Sequence, residues 1–241
     1  MNFCWNFLDD YLEFDENHPG VLIIENPKAF TKLLQDLYEL FLDGESACAF
    51  YENNSPIKAD KRVELIIDPF STDLNQRKII NALYSRLSKN MMEGEYVKET
   101  TELFSSIQTY LAHLISNVDY PVEFEQGVIG SEFFKAFNLH LETDEETLIQ
   151  KLESYIKAAH EFLSKDVFFF VNLHAYISLD ELKEFYKSAA YNKCKLFLIE
   201  AFEAPVLESE NRIILDSSLC QLNFTCKPKS DCAILNFDDG L

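Results

Sequence analysis

The sequence predicts an α/β protein with a mostly parallel sheet flanked by helices, and three observations in its second half support that prediction. Residues 167–171 form an apolar, β-favouring run that is too short for a core helix and too uniform for a strand with one wet face. Ser178 and Glu181 then have the spacing of a capping box, so we expect a helix to begin there. A second apolar run at 195–199 completes a strand, helix, strand unit. Such crossovers join parallel strands.

The N-terminal part of the chain adds strands and a helix to this sheet. Aromatic and polar residues alternate over residues 1–15 and indicate one or two short strands, and residues 21–24 form another buried strand. Asn26 is placed to cap the helix that follows, Pro27 suits its first position, and Gly44 is expected to end it. The first strand and helix of the α/β unit therefore lie here.

A helical insertion is expected after the strand at 65–67, which Pro69 ends. Thr72 is placed to cap a first long helix. A second long helix follows with no strand between them, which is typical of an antiparallel helical arm. The later elements are an acidic loop at 117–125, a short helix at 131–137, a strand at 139–142, a capping box of Thr143 and Glu146, a helix at 148–163 and a strand at 212–215. The predicted domains are an α/β head (1–70 and 139–222), an inserted α-helical domain (71–138) and a polar C-terminal tail (223–241).

Charge and cysteine usage restrict the classes of function. Forty-one acidic and twenty-one basic residues give a net charge of −20, which by itself argues against a nucleic-acid-binding protein. A basic channel or a bound divalent cation is still compatible with that average. No apolar run approaches the length of a membrane span and the N-terminus does not resemble a signal peptide, so we expect a cytoplasmic protein. The six cysteines are expected to be free thiols, with metal binding as a minor alternative for the evenly spaced Cys220, Cys226 and Cys232.

The turn between the first buried strand and its helix lacks the features of a nucleotide-binding loop. A Walker A loop needs glycines that let backbone N–H groups approach the phosphates, followed by a lysine and a hydroxyl residue. Here the turn is Glu25, Asn26 and Pro27, with neither feature. Asn172 stands where a Walker B acid would follow the central strand. We therefore expect neither ATP hydrolysis nor a bound nucleotide.

Several segments, taken in order, resemble a known family. They are VLIIENPKAFTKLLQDLY, ELIIDPF, FLSKDVFFFVN, LFLIEA and RIILD. They resemble the accessory spacer-acquisition proteins of type II-A CRISPR systems, an antiviral defence, and the likeness extends over residues 20–220. The resemblance implies an α/β head related to the ATPase heads of chromosome-maintenance proteins, with a degenerate nucleotide site and an inserted helical domain. It also implies a ring-shaped homotetramer that calcium stabilises. Its basic channel would thread double-stranded DNA, without enzymatic activity, alongside the CRISPR integrase and the type II effector nuclease.

The resemblance also indicates candidate site residues, each with a plainer alternative. The acidic loop lies about where the family places its calcium ligands, and hard oxygen ligands suit calcium. The calcium candidates are Asp119, Glu123 and Glu125. The DNA candidates, which need only positive side chains at phosphate spacing, are Lys58, Lys61, Arg62, Arg77 and Lys78. The alternatives are a solvated acidic loop and ordinary surface cations.

The leading hypothesis is a non-enzymatic, sequence-independent binder of double-stranded DNA, or of its ends, in CRISPR adaptation. Two others stay open. Asp68 and Glu200 lie at strand ends of a parallel sheet, where a metal-dependent nuclease or phosphohydrolase would carry its site, but no motif places a third acid or a general base. In the other alternative the acidic surface docks on basic proteins of the acquisition complex. The chain would then be an adaptor without direct DNA binding.

Overall fold

The computed structural model describes residues 1–42, 45–125, 127, 130–144 and 147–224. Among these residues, contacts group those in 1–72, 147–157 and 164–224 into one compact unit, which we call the head unit. Those in 73–144 and 158–163 group into a second, which we call the helical unit. The helical unit thus begins near the expected start of the insertion at 71 but extends past its expected end at 138. Residues 139–144 and 158–163, which we expected in the head, belong to it.

The described chain contains both strands and helices, as expected for an α/β protein. The strands are β1 (Asn2–Trp5), β2 (Leu12–Glu13), β3 (Gly20–Ile24), β4 (Cys48–Glu52), β5 (Ser55–Pro56), β6 (Val63–Ile66), β7 (Val167–Val171), β8 (Lys195–Glu200), β9 (Asn211–Leu215) and β10 (Gln221–Phe224). The α-helices are α1 (Pro27–Phe41), α2 (Ala59–Arg62), α3 (Arg77–Met92), α4 (Val97–Ile115), α5 (Gly130–Ala136), α6 (Leu148–Leu163) and α7 (Leu179–Tyr191). Short 3-10 turns lie at Pro69–Ser71, Gly94–Tyr96 and Leu173–Ala175.

Six strands of the head unit form one sheet in the order β10-β9-β3-β8-β7-β6, and only the pair of β9 and β10 is antiparallel. The expected strand, helix, strand unit is confirmed, because β7 and β8 are parallel neighbours and α7 connects them. Every residue of β7 and of β8 is buried. The carboxyl ends of the five parallel strands therefore lie along one edge of the sheet, where α/β proteins carry their sites.

A second, antiparallel sheet of the head unit was not expected from the sequence. Its order is β2-β1-β4-β5. Phe3 of β1 and Phe50 of β4 contact the ring of Phe169 at centroid distances of 5.8 and 5.2 Å, and Phe169 stacks on Phe197 at 4.3 Å. The two sheets thus share one aromatic core. Gly20 lies against it, and a Cβ there would stand 2.9 Å from the Phe197 ring, so the first position of β3 requires glycine.

Two element predictions were wrong. Thr72 does not cap α3, because its hydroxyl donates to the Pro69 carbonyl at 2.9 Å and the helix begins only at Arg77. Residues 139–142 form no strand. The Tyr84 hydroxyl donates to the Leu139 carbonyl at 2.7 Å, and Asn75 exchanges two hydrogen bonds with the backbone of Leu141. The side chains of Tyr84 in α3 and of Asn75 before it thus supply hydrogen bonds that a neighbouring strand would otherwise make. They hold this segment within the helical unit.

The expected ends of some elements fall partly outside the described residues. Gly44, the expected end of α1, and Glu146, the expected capping-box acid, lie outside them. The polar tail was expected from residue 223, but β10 continues through Phe224. Of the described helices, none is both long and apolar enough to span a membrane.

Candidate functional site

The turn after β3 lies at the carboxyl edge of the sheet, where a nucleotide-binding α/β protein would carry its phosphate loop. The Asn26 side chain accepts hydrogen bonds from the backbone N–H groups of Lys28 and Ala29 at 3.0 and 3.2 Å, and Pro27, at the first helical position, has no N–H. The expected cap is therefore confirmed. Because Asn26 already binds the N–H groups that would face a phosphate, this turn is built as a closed helix cap rather than as a phosphate loop.

The end of β7 is held by an asparagine in the left-handed conformation. Asn172 has φ 53°, its backbone N–H donates to the Ile199 carbonyl at 2.8 Å, and its side chain accepts from the Ala201 N–H at 2.9 Å. Asn172 thus joins the ends of β7 and β8 through hydrogen bonds on both sides. Its amide supplies no carboxylate at the position where a Walker B acid would stand.

The two acids of the nuclease hypothesis lie at strand ends, but both accept hydrogen bonds from backbone N–H groups. Asp68 is exposed and accepts a hydrogen bond from the Phe70 N–H at 2.9 Å, capping the 3-10 turn. Glu200 is 3% exposed, accepts from the His174 N–H at 3.2 Å and lies 2.8 Å from His174 Nδ1, without the direction of a hydrogen bond. Among the described residues no three His, Cys, Asp or Glu side chains form a group that could hold a metal ion.

The three basic candidates of the head unit do not behave alike. Lys58 and Lys61 are exposed, at the N-cap and inside α2. Arg62 instead donates to Glu52 Oε2 at 2.5 Å and, through Nε, to Asp166 Oδ1 at 2.9 Å. A guanidinium held by two carboxylates is already neutralised, so Arg62 is better described as an internal ion-pair partner than as the phosphate ligand that we expected.

The ion pairs of Arg62 belong to a larger network at the amino ends of β6, β7 and β8. Lys195 Nζ lies 3.3 Å from Asp166 and 2.8 Å from Glu16. Burial raises the pKa of Asp166, but hydrogen bonds from Arg62 and the charge of Lys195 outweigh it and hold that pKa below its usual value. Hydrogen bonding to Arg62 likewise lowers the pKa of Glu52. The sequence shows these charges but not their pairing, because the partners are distant along the chain.

The two basic candidates of the helical unit lie in the first turn of α3. Arg77 and Lys78 are both exposed. The N-cap Gln76 makes no side-chain capping bond, and the first turn contains no acidic residue. An uncapped helix N-terminus carries partial positive charge, and two cations in the same turn add to it, so this turn is suited to contact a phosphate.

The calcium candidates lie on an irregular segment after α4. Asp119, Glu123 and Glu125 are all exposed, and they are not brought together as a metal-binding group within the described chain. Carboxylates have the right oxygen chemistry for calcium, which takes six to eight ligands, but these three do not supply a site by themselves. The calcium prediction stays a prediction.

A buried cluster that we did not anticipate fixes the loop between β8 and β9. Glu210 accepts from the Tyr186 hydroxyl at 2.8 Å and from Arg212 at 2.5 Å, and Arg212 also donates to the Ala204 carbonyl at 2.5 Å. Burial raises the pKa of Tyr186. Its charged members are enclosed and paired with each other, so we assign this cluster to structure rather than to binding.

The cysteines that the structure describes are free thiols, as expected. They are Cys4, Cys48, Cys194 and Cys220. Burial raises the pKa of Cys194 to about 12 and raises that of Cys48 still further, so both are protonated at neutral pH. Cys226 and Cys232 lie outside the described residues.

Comparison with known proteins agrees with the resemblance in the sequence. The family model described as CRISPR-associated protein (Cas_Csn2) matches residues 42–219. A CRISPR-associated protein Csn2 of Enterococcus faecalis is 22% identical over 220 residues, covering 90% of this chain and 96% of that protein. Another from Streptococcus agalactiae is 24% identical over 163 residues, covering 67% and 72%.

Among solved structures, an ABC transporter ATP-binding protein of Pyrococcus furiosus matches with a TM-score of 0.36 and 10% identity, covering 85% of this chain and 92% of that one. A likeness at that level carries no argument about the fold. The family model, by contrast, spans most of the sequence. This chain belongs to the Csn2 family of CRISPR-associated proteins.

Proposed function

We propose that this protein binds double-stranded DNA, or its ends, without reading sequence, as a non-enzymatic ring-shaped homotetramer in the cytoplasm during CRISPR spacer acquisition. Its partners would be the CRISPR integrase and the type II effector nuclease. Membership of the Csn2 family is the observation that carries this proposal. We also propose that the head unit descends from an ATPase head whose nucleotide site is degenerate.

The β3 to α1 turn supports the absence of a nucleotide mechanism. Asn26 caps α1, and Pro27 and the missing glycines leave no phosphate loop. DNA held by such a protein would be bound through its phosphates alone, without coupling to ATP hydrolysis.

Four exposed cations support DNA contact. Lys58 and Lys61 lie on the head unit, and Arg77 and Lys78 lie at the uncapped start of α3 in the helical unit. Since the net charge is −20, contact with a polyanion requires that such cations face the DNA locally. We leave Arg62 out of the set because its guanidinium is occupied by Glu52 and Asp166.

The surface of α4 supports self-association. None of its 19 residues is buried, and Tyr110 and Leu114, which lie within one apolar stripe on the C-terminal half of the helix, are 63% and 48% exposed. An apolar helix stripe left in water is typical of a surface that another protein covers. In the proposed assembly a second copy of the chain covers part of it.

The DNA proposal is tested by reversing the charge of these four cations together. The variant Lys58→Glu, Lys61→Glu, Arg77→Glu, Lys78→Glu should lose DNA binding in a gel shift, and the slope of log K against log salt should fall by about 0.9 for each phosphate contact removed. The control, Lys28→Glu, Lys157→Glu, Lys183→Glu, Lys187→Glu, makes the same change in charge at other exposed lysines. Equal loss in both variants would show an effect of net charge alone and would contradict the assignment.

Calcium enters the proposal as a stabiliser of the assembly. Light scattering should give a tetramer in calcium and a smaller species in chelator, and the variant Asp119→Ala, Glu123→Ala, Glu125→Ala should resemble the chelated protein. A triple variant that still assembles only with calcium would place the ligands elsewhere.

The adaptor remains the second candidate because acidic residues outnumber basic ones almost two to one. The four-cation variant separates the two hypotheses. An adaptor keeps its protein partners when these cations are reversed and shows no DNA binding before the change, whereas a DNA-binding ring binds DNA before the change and loses it afterwards.

A further inference from the structure

The helical unit contains an open apolar pocket that the proposed DNA contacts do not use. Its volume is about 390 Å³, on the scale of pockets that hold small ligands or a large side chain. Helices α3, α4 and α5 line it, with Leu87 and Met91 on the first, Leu103 and Phe104 on the second, and Phe133 on the third. Every one of these residues belongs to the helical unit.

The aromatic wall of this pocket is formed by contacts within the unit. Phe104 packs edge-on against Phe133 at 5.3 Å, and Phe133 contacts Phe134 at 5.8 Å. Phe134 in turn packs against Tyr84 at 5.6 Å. The rings hold one another in place, so an entering apolar side chain meets a prepared surface and the cost of ordering it is small.

We call the turn between α3 and α4, with the adjoining helix ends, the rim of the pocket, because Tyr96 and Glu99 line the pocket there, and acidic residues outnumber basic ones on it. Four glutamates and two lysines lie on the 3-10 turn and the adjoining ends of α3 and α4: Glu93, Glu95, Glu99, Glu102, Lys89 and Lys98. Lys89 lies 3.9 Å from Glu93, and Lys98 lies 3.8 Å from Glu102. Glu95 and Glu99 have no basic partner among the described residues. The two lysines are thus already matched, and the rim keeps an excess of negative charge.

The rim reaches the pocket through the first turn of α4 and the residue before it. Glu99 and Thr100 line the pocket directly, as does Tyr96, whose pKa is raised by its hydrogen bond to Glu95. A segment that placed an apolar side chain in the pocket would therefore bring its neighbouring residues over Glu95 and Glu99. Cations at those neighbouring positions would be attracted, whereas acids would be repelled.

We propose that this pocket is a docking site for a basic segment of a partner protein, which inserts one aromatic or large aliphatic side chain and places flanking lysines or arginines over Glu95 and Glu99. A large apolar anchor in a desolvated pocket, surrounded by charged contacts, is the usual form of an energetic hot spot. None of the four cations proposed to bind DNA lines this pocket, so the inference does not depend on that proposal.

The test uses three fluorescein-labelled peptides and fluorescence anisotropy with the full-length protein. Lys-Arg-Phe-Leu-Arg-Lys supplies both features, Lys-Arg-Ser-Ser-Arg-Lys supplies only charge, and Glu-Asp-Phe-Leu-Asp-Glu supplies only the apolar anchor. The first peptide should bind at least ten-fold more tightly than either of the others. Equal binding of the two basic peptides would overturn the role of the pocket, and equal binding of the two apolar peptides would overturn the role of the rim.

Protein variants locate the binding. Glu99→Lys reverses an exposed rim charge, Thr100→Trp fills the pocket, and Glu203→Lys repeats the charge reversal on an exposed residue of the head unit. The first two variants should lower the affinity for the peptide Lys-Arg-Phe-Leu-Arg-Lys at least ten-fold and leave DNA binding unchanged. The control should have no effect on either. An equal loss of peptide affinity in the control, Glu203→Lys, would overturn the assignment of the peptide to this pocket. So would a fall in molar mass on Thr100→Trp, because the occupant would then be a second copy of the chain.

Discussion

The head unit and the helical unit differ in how completely they cover their own apolar residues. Every residue of β7 and β8 is buried, whereas α4, the longest of the described helices, has no buried residue at all. Since both units contain similar kinds of apolar side chain, the difference lies in what surrounds them. The head unit closes its core with two sheets, while the helical unit leaves apolar surface in contact with water. From this contrast we expect the head unit to contribute most of the stability, and we propose that the helical unit offers its apolar surface to partners.

The sharpest test of that contrast compares two ion pairs. Glu210→Ala removes the partner of a fully buried guanidinium and should cost about 3–5 kcal/mol in the free energy of unfolding. Glu132→Ala breaks the surface pair with Lys135 in the helical unit and should cost at most about 1 kcal/mol. Urea denaturation measures both. A small effect of Glu210→Ala would mean that the β8 to β9 loop can open to water.

The same contrast is tested by two identical leucine substitutions. Leu198→Ala in β8, where the side chain is 0% exposed, should cost about 2–5 kcal/mol in unfolding free energy. Leu114→Ala in α4, where the side chain is 48% exposed, should change monomer stability by about 0.5 kcal/mol or less. Its effect should appear in the molar mass of the assembly, measured by light scattering across protein concentrations. A large loss of monomer stability from Leu114→Ala would contradict the view of α4 as partner surface.

A helix cap gives a smaller but well-defined effect. Ser178 accepts from the Glu181 N–H, and the Glu181 side chain accepts from the Ser178 N–H at 2.8 Å. Ser178→Ala should therefore cost about 1 kcal/mol in thermal or urea unfolding. The matched change Ser105→Ala, at an exposed interior position of α4, should be neutral or slightly stabilising because alanine favours helices. Equal changes in stability from Ser178→Ala and Ser105→Ala would show that the capping box of Ser178 and Glu181 is not formed in solution.

The network around Arg62 should make the head unit sensitive to acid. The pKa values of Asp166 and Glu52 are lowered in the folded state, so their contribution is complete above the unfolded pKa values of about 4. Stability should fall as the pH drops below that range, because protonation breaks the ion pairs. Thermal unfolding between pH 7 and pH 3 measures this. Arg62→Met should flatten the dependence, and an unchanged slope in that variant would contradict the assignment.

Local patterns in the sequence predicted the central strands and helix caps, but they did not predict which distant strands pair. The apolar runs of β7 and β8, the capping box at Ser178 and the cap at Asn26 each depend on neighbouring residues, and the structure confirms them. The antiparallel sheet depends on pairing Phe3 with Phe50, far along the chain, which no short pattern records.

The candidate site was predictable only as a set of charges. Lys58, Lys61, Arg77 and Lys78 are exposed, as a DNA contact requires, but the sequence did not show that Arg62 is held by Glu52 and Asp166. Those three residues meet only because the strands that carry or adjoin them come together. The apolar pocket was not predicted for the same reason, because residues of three helices form its walls.

The most direct test of the proposed function compares linear and covalently closed circular duplex of the same length and sequence. Gel shift at two salt concentrations, with molar mass by light scattering, measures binding and assembly together. The proposed ring predicts a tetramer that threads onto linear duplex, is not retained on the closed circle, and loses DNA steeply as salt rises. A protein that binds both forms equally, or neither form at low salt, would contradict the account.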